Sequence, residues 1–254
     1  MEIRPLEGKT RGAPIEEPSQ TVRALLSLRE MLLHGAFRPG ERISELPLVS
    51  RLGVSRTPIR LALDRLANEG LLEASPSGGF TVRAFTLEDI WDAIEMRGVL
   101  EGTAARLAAE RLASDRDLEP LRKCRDEMAS VLSPPTMESF AQYLELNEAF
   151  HSAMIDLANS PMLRRTLERV LSLPFASPSA LVFAPTLLPG ANEMLVLGQE
   201  HHCAIVESIE NRQGTRAESL AREHSRLARR NLETALANKD IFSSVPGSSL
   251  IRVV

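Results

Sequence analysis

Cysteine is scarce in this sequence: Cys124 and Cys203 are the only two, far apart and in no CxxC pair. That excludes a disulfide framework and a cysteine-based zinc site, and it points to a reducing compartment, the cytoplasm. Long apolar runs are also missing. The most apolar later stretch, Leu171 to Leu197, is interrupted by Pro174, Pro178, Pro185 and Pro189, whereas a membrane-spanning helix needs roughly 20 uninterrupted apolar residues. Residues Met1 to Pro18 mix Glu2, Arg4, Glu7, Lys9, Arg11, Glu16 and Glu17 with proline and glycine. They carry no apolar core of signal-peptide type and are expected to form a mobile arm. A general excess of positive charge is absent too. The net charge of −4 excludes a protein held to nucleic acid by bulk electrostatics, so any DNA contact must come from a local patch.

What is present is an ordinary globular composition, 43% hydrophobic and 25% charged, able to bury a proper core. At 254 residues the chain suggests a small module joined to a larger one. The first module is expected over residues 19–84. Val22, Leu25, Leu26, Leu28, Met31 and Leu32 recur at helical spacing, and Gly35 follows as a stop signal. After Arg38-Pro39-Gly40 a short helix restarts with Ser44 as its cap and Pro47 in the first turn, running to about Leu52. Gly53-Val54 supplies a tight turn. Ser55 caps a third helix carrying Pro58, Ile59, Leu61, Ala62, Leu63 and Leu66, which ends at Gly70. Two helices across so short a turn form a helix-turn-helix, whose second helix enters the major groove with its N-terminal residues leading. Leu71 to Ala74 and Phe80 to Arg83, joined through Gly78-Gly79, read as a hairpin wing. From Arg38 to Arg60 there are five arginines, Arg38, Arg42, Arg51, Arg56 and Arg60, against Glu41 and Glu45, a local net charge of +3.

The run Gly53-Val54-Ser55-Arg56-Thr57-Pro58-Ile59-Arg60-Leu61-Ala62-Leu63, with Leu66 and Glu69-Gly70-Leu71, resembles the DNA-binding module of the GntR family. The resemblance implies a winged helix-turn-helix in which Ser55, Arg56, Thr57 and Arg60 contact phosphates and base edges, with Arg56 the first choice for base reading. The wing tip at Gly78 and Gly79 would approach the neighbouring minor groove. Many relatives carry a basic residue where Leu46 stands in this chain.

The second module is expected over residues 86–237 as an all-helical antiparallel bundle, followed by a C-terminal tail over 238–254. Thr86 caps its first helix, with Glu88 and Asp89 in the positive first turn. Amphipathic runs follow from Leu87 to Leu112, Asp115 to Leu132, Met137 to Ala158, Pro161 to Leu171, Glu193 to Asn211 and Thr215 to Ala237. No strand alternation is visible among them. The segment 173–183 is too rich in proline for a continuous helix and reads as a lid, a partner-facing loop or a solvated connector. Helical geometry turns three histidines inward. His151 shares a face with Asn147, Phe150 and Met154, His202 with Ile205 and Ile209, and His224 with Leu220 and Leu227. Bundle cores build metal sites from side chains on facing helices, and imidazole suits zinc, nickel, copper or iron. His201 is set aside, because His202 has the better apolar face, and His34 reads as structural.

The phrase from Ile94 to Ala108 and the run Asn147-Glu148-Ala149-Phe150-His151 resemble the FCD effector domain of the FadR/VanR branch of that family. The likeness extends over about residues 19–235. It implies a divalent transition metal, zinc with nickel as the alternative, held by Asn147, His151, His202 and His224. Three neutral imidazoles and an amide leave such an ion uncompensated, so an anionic effector is expected on it, a small carboxylate and in the VanR-like subgroup an aromatic one. Arg97 is either the clamp for the far end of that acid or a structural partner of Glu101 at i,i+4, and Asn231 is a further effector contact. The expected whole is a homodimeric repressor on a palindromic DNA operator. Two rivals stand beside it: a metal-dependent hydrolase of all-helical fold, which lacks an HExxH arrangement, and a regulator whose metal is purely structural.

Overall fold

The computed structural model describes residues 19–76, 78–132, 137–173, 175–184, 187, 190–245 and 247–252. The expected arm of residues 1–18 lies outside them. The chain is mainly helical, with one small three-stranded sheet among the described residues.

The N-terminal module is built on α1 (Gln20–Leu33), α2 (Glu45–Leu52) and α3 (Arg56–Asn68). Ser19 caps α1 by accepting from the Val22 amide, and Leu25, Leu28 and Leu32 meet Ile59, Leu63 and Leu66 of α3 in the core. Ser44 and Ser55 occupy the N-cap positions of α2 and α3, but neither side chain makes the capping hydrogen bond expected of it. Between the two helices Gly53 adopts φ +65°, a left-handed turn that an L side chain would strain. The wing strands are β2 (Leu72–Ala74) and β3 (Phe80–Val82). A strand absent from the sequence reading, β1 (Arg42–Ile43), pairs antiparallel with the other edge of β3. Two residues are too few to display alternation.

The helical domain contains α4 (Leu87–Arg111), α5 (Glu119–Val131), α6 (Met137–Leu157), α7 (Pro161–Leu171), α8 (Ala191–Glu210) and α9 (Gly214–Leu236). Thr86 and Asp89 close a reciprocal capping box at the start of α4. Residues 115–118, expected inside a helix, form a separate 3-10 turn before Pro120 opens α5. The most extensive helix contact is between α4 and α9. It depends on Gly98 and Gly102: a Cβ at 102 would sit 2.7 Å from Arg222 Cγ and 3.0 Å from the Glu218 carbonyl oxygen.

Residues 173 and 175–183 form neither a solvated connector nor an exposed partner-facing loop. Phe175, Ala176, Leu181 and Phe183 are buried, and the Phe175 ring packs edge-on to Phe85 at 5.1 Å. The expected C-terminal tail also folds. It forms α10 (Lys239–Ser244) and a 3-10 turn (Ser248–Leu250), then a parallel bridge from Ile251 to Phe85, the residue between the two modules. Ile241, Val245, Leu250 and Ile251 are buried in a core shared with α1, α3 and the end of α9. No helix among the described residues is long and apolar enough to cross a membrane.

Candidate functional site

Two places in the fold concentrate chemistry. The first is the leading end of α3. Because Pro58, Ile59, Ala62 and Leu63 are buried against the module's core, the other face of the helix turns outward, leaving Ser55, Arg56, Thr57 and Arg60 exposed. Arg38, Arg42 and Arg51 are exposed as well. Arg56 donates from Nε and Nη2 to Glu45 of α2, at 3.2 and 3.0 Å. Its side chain remains 67% exposed, so this ion pair is worth at most about 1 kcal/mol and yields readily to a phosphate or a base edge. Arg42 Nη2 donates to the carbonyl of Gly78 at 2.7 Å. The wing tip, where Gly78 and Gly79 have φ +87° and +88°, is thereby tied to β1, and Arg42 joins the surface as a wing contact that sequence reading had counted only as charge. Leu46 is exposed on α2 beside this face.

The second place is inside the helical domain. His151 of α6, His202 of α8 and His224 of α9 bring one ring nitrogen each within 4.8 Å of the others. His202 and His224 approach Nε2 to Nε2 at 3.2 Å. Two nitrogens at 2.0–2.1 Å from one tetrahedral ion stand about 3.3 Å apart, so the spacing suits a shared cation. His202 is buried and His224 partly so, and burial, followed by the neighbouring imidazoles, pushes both well below the usual histidine range. They are therefore neutral near pH 7, the form in which imidazole ligates. Both ring nitrogens of His151 and the Nδ1 of His224 are buried without an aligned hydrogen-bond partner. An orphaned lone pair facing two other imidazoles is costly unless a cation meets it, and the trio fits a divalent metal on that ground.

Sequence reading did not foresee what stands behind the imidazoles. Glu101, 0% exposed on α4, places Oε1 3.0 Å from His151 Nδ1 and Oε2 3.6 Å from Arg97 Nε. Burial would raise its pKa, but His151 and then Arg97 outweigh that and hold the carboxyl below its ordinary value. Gln199 Oε1 lies 3.4 Å from His202 Nδ1. Arg97, 2% exposed, donates from Nη1 to the carbonyls of Ala176 and Ser177 at 3.1 and 2.7 Å and from Nη2 to that of Ser225 at 3.4 Å. It is thus a structural partner of Glu101 and at the same time borders the cavity next to His224. Asn147 and Asn231 border the same cavity. Asn147 donates to Ser179 Oγ at 3.0 Å and Asn231 to the Leu181 carbonyl at 2.8 Å. The cavity measures about 40 Å³, room for a few waters. His201 is only partly buried and stays outside the trio.

Residues 20–82 match the family described as bacterial regulatory proteins, gntR family, and residues 92–227 match the FCD domain. The chain belongs to the GntR family and carries an FCD domain. Among curated relatives of this GntR protein, an uncharacterized HTH-type transcriptional regulator of Bacillus subtilis, YdhC, is 34% identical over 146 residues, covering 58% of this chain and 64% of the relative. The Nta operon transcriptional regulator of Aminobacter aminovorans is 37% identical over 137 residues, 53% of this chain and 61% of that protein. The chain therefore spans somewhat under two thirds of either relative. The solved structure of Escherichia coli McbR/YncC shares the fold, with a TM-score of 0.59 at 23% identity over 85% of this chain and 97% of that one.

Proposed function

We propose that this GntR-family protein is a cytoplasmic, DNA-binding transcriptional regulator, a repressor controlled by a small organic acid bound at a metal site in its helical domain. The observation that carries the reading is the pairing, in one chain, of an arginine-led outward helix face with three inward imidazoles, two of them buried, that meet on separate helices. Two copies associate and set two recognition helices on a palindromic operator, whose half-sites lie about one helical turn apart. Ser55, Arg56, Thr57 and Arg60 contact phosphates and base edges, and Gly78 and Gly79 bring the wing tip to the neighbouring minor groove.

In the helical domain His151, His202 and His224 would hold a divalent transition metal, zinc or alternatively nickel, with Asn147 as the further ligand. A bound cation supplies two positive charges at the cavity wall. Glu101 and Arg97 already offset each other, and the imidazoles of His202 and His224 are neutral, so that charge favours an anionic ligand in a low-dielectric site. Arg97 and Asn231 would engage the rest of a carboxylate effector, aromatic or otherwise small. Arg97 now grips the carbonyls of Ala176 and Ser177, and the cavity holds only about 40 Å³, far below the roughly 300 Å³ of ordinary ligand pockets. An organic acid therefore enters only if segment 175–184 moves. That requirement gives the ligand two states to distinguish, without which it would shift no equilibrium.

The test has two arms. Arg56→Ala should abolish selective operator binding while leaving the circular dichroism spectrum unchanged, and retained selectivity would contradict the assignment. Thermal melts in chelator, in zinc, and in zinc with candidate acids separate a sensing metal from a structural one. A sensed acid raises the midpoint only when zinc is present.

A further inference from the structure

Glu101 calls for an explanation that an ordinary helix-surface ion pair does not provide. Its carboxylate is 0% exposed, and its Arg97 partner is equally enclosed, at 3.6 Å. Withdrawing a carboxylate from water costs several kcal/mol even after relaxation, and a lone pairing with arginine seldom repays it. Neither of its oxygens makes an aligned hydrogen bond in the present arrangement. Both nonetheless sit between two cationic or proton-bearing groups, with Oε1 3.0 Å from His151 Nδ1. Such placement, one ring nitrogen facing a carboxylate and the other facing the metal position, is how an imidazole is held in a single tautomer.

We propose that Glu101 is the positioning residue of the metal centre: it keeps the proton of His151 on Nδ1, so that the Nε2 lone pair is directed at the ion, and it supplies a buried carboxylate behind that ligand. This rests on the reading of His151, His202 and His224 as ligands. The three are not equivalent in their support. His151 has a carboxylate behind it, His202 has the neutral Gln199 amide at 3.4 Å, and the Nδ1 of His224 has no hydrogen-bond partner. His151 is accordingly the ligand whose orientation a charged group holds, and the one on which affinity depends most. In a chain with the neutral Asn147 beside the site, Glu101 provides from the next layer the negative charge that an acidic ligand would provide from the first. Arg97 has a second consequence here. By holding Glu101 in place while gripping Ala176 and Ser177, it ties the ligand-orienting carboxylate to the segment that must move for an acid to enter.

The test measures zinc affinity of the full chain by competition with a chromophoric chelator, for the wild type, Glu101→Gln and Glu101→Asp. Nitrogen-15 spectra of the imidazoles in the metal-free wild type are recorded alongside. The expected result is a 10–100-fold weaker zinc affinity in both variants, the range found when an outer partner of a ligating histidine is removed, and a protonated Nδ1 on His151. A purely structural Glu101 would instead lower the melting midpoint in chelator and leave the zinc dissociation constant unchanged, which overturns the inference. Should both variants fail to fold, the wild-type spectra decide, because a His151 carrying its proton on Nε2 overturns it without any substitution. A wild type that binds no zinc removes the ligand assignment and this inference together. Tight wild-type binding that the variants retain removes the inference alone.

Discussion

Acidifying the metal-free protein from pH 7 to pH 5.5 should cost up to about 2.5 kcal/mol of stability through His202 and His224 alone. Burial drives both imidazoles well below their ordinary value in the folded protein, while in the unfolded chain they titrate near 6.5. Between those limits the unfolded state binds a proton that the folded state refuses. Stability from these groups is therefore complete above pH 6.5 and is lost as pH falls below it, until the folded pKa is reached. Integrated from pH 7 to 5.5, the loss is about 1.25 kcal/mol for each histidine. Urea denaturation in chelator at the two pH values measures it. His202→Gln or His224→Gln should each remove about half of this pH dependence, and the double variant nearly all of it. Other titrating groups are common to all four proteins and cancel in the comparison. A double variant with the wild-type pH dependence would show that the two rings are not held neutral by burial, and the case for three metal-ready imidazoles would fall with it.

Two further outcomes follow from the packing and the charge pattern. Gly102→Ala should destabilise the protein by about 1–3 kcal/mol, because the new methyl meets the backbone of α9 at Glu218, 3.0 Å away, which cannot rotate aside. Zinc affinity should fall with it as His224 is displaced, and a urea midpoint equal to wild type would refute the close approach. Leu46→Arg adds a cation beside the recognition face at a position 63% exposed. Affinity for duplex DNA should rise, and the slope of log affinity against log salt should steepen by about 1; an unchanged slope in fluorescence anisotropy would place Leu46 away from the phosphates.

The parts of the fold legible in the sequence are those where one local signal decides the outcome. Gly53 and Pro58 bracket the start of α3, and its apolar spacing leaves one way to bury Ile59, Leu63 and Leu66. The capping box at Thr86 and Asp89 is likewise local. Ser44 and Ser55 mark the right positions without making the bonds, because the Asp/Ser/Thr preference at a helix start reports backbone shape as well as hydrogen bonding. Glu101 was invisible for a different reason. On α4 it reads as an i,i+4 partner of Arg97, and only tertiary packing reveals that His151, fifty residues later, shares the same carboxylate. The prolines of segment 173–183 correctly forbid a helix but say nothing about burial, so the sequence could not choose between a lid and a solvated connector. The carbonyls of Ala176, Ser177 and Leu181 accept from Arg97 and Asn231, and those of Leu173 and Ser179 from amides in turns, in place of a regular ladder. The folded C-terminal segment had too little periodicity in six residues of α10 to announce itself.

That segment bears on how the two modules are joined. Phe85, between them, is 0% exposed, and its backbone is bonded on both sides: its amide donates to the Leu250 carbonyl at 2.9 Å, and its carbonyl accepts from the Arg252 amide at 2.8 Å. The Gly247 amide donates to the carbonyl of Leu33 at the end of α1. The helix feeding this segment is α9, which also carries His224 and Asn231, and its Leu232 and Ala235 lie in the same core as Leu28 and Leu32 of α1. The connection between the helical domain and the DNA-binding module is therefore packed interior, not a free tether. Close-packed interiors shift between discrete arrangements and do not stretch continuously. A displacement of α9 at His224 must be taken up where its far end meets α1, Phe85 and the C-terminal turn, and α1 is the helix against which the recognition helix α3 is packed.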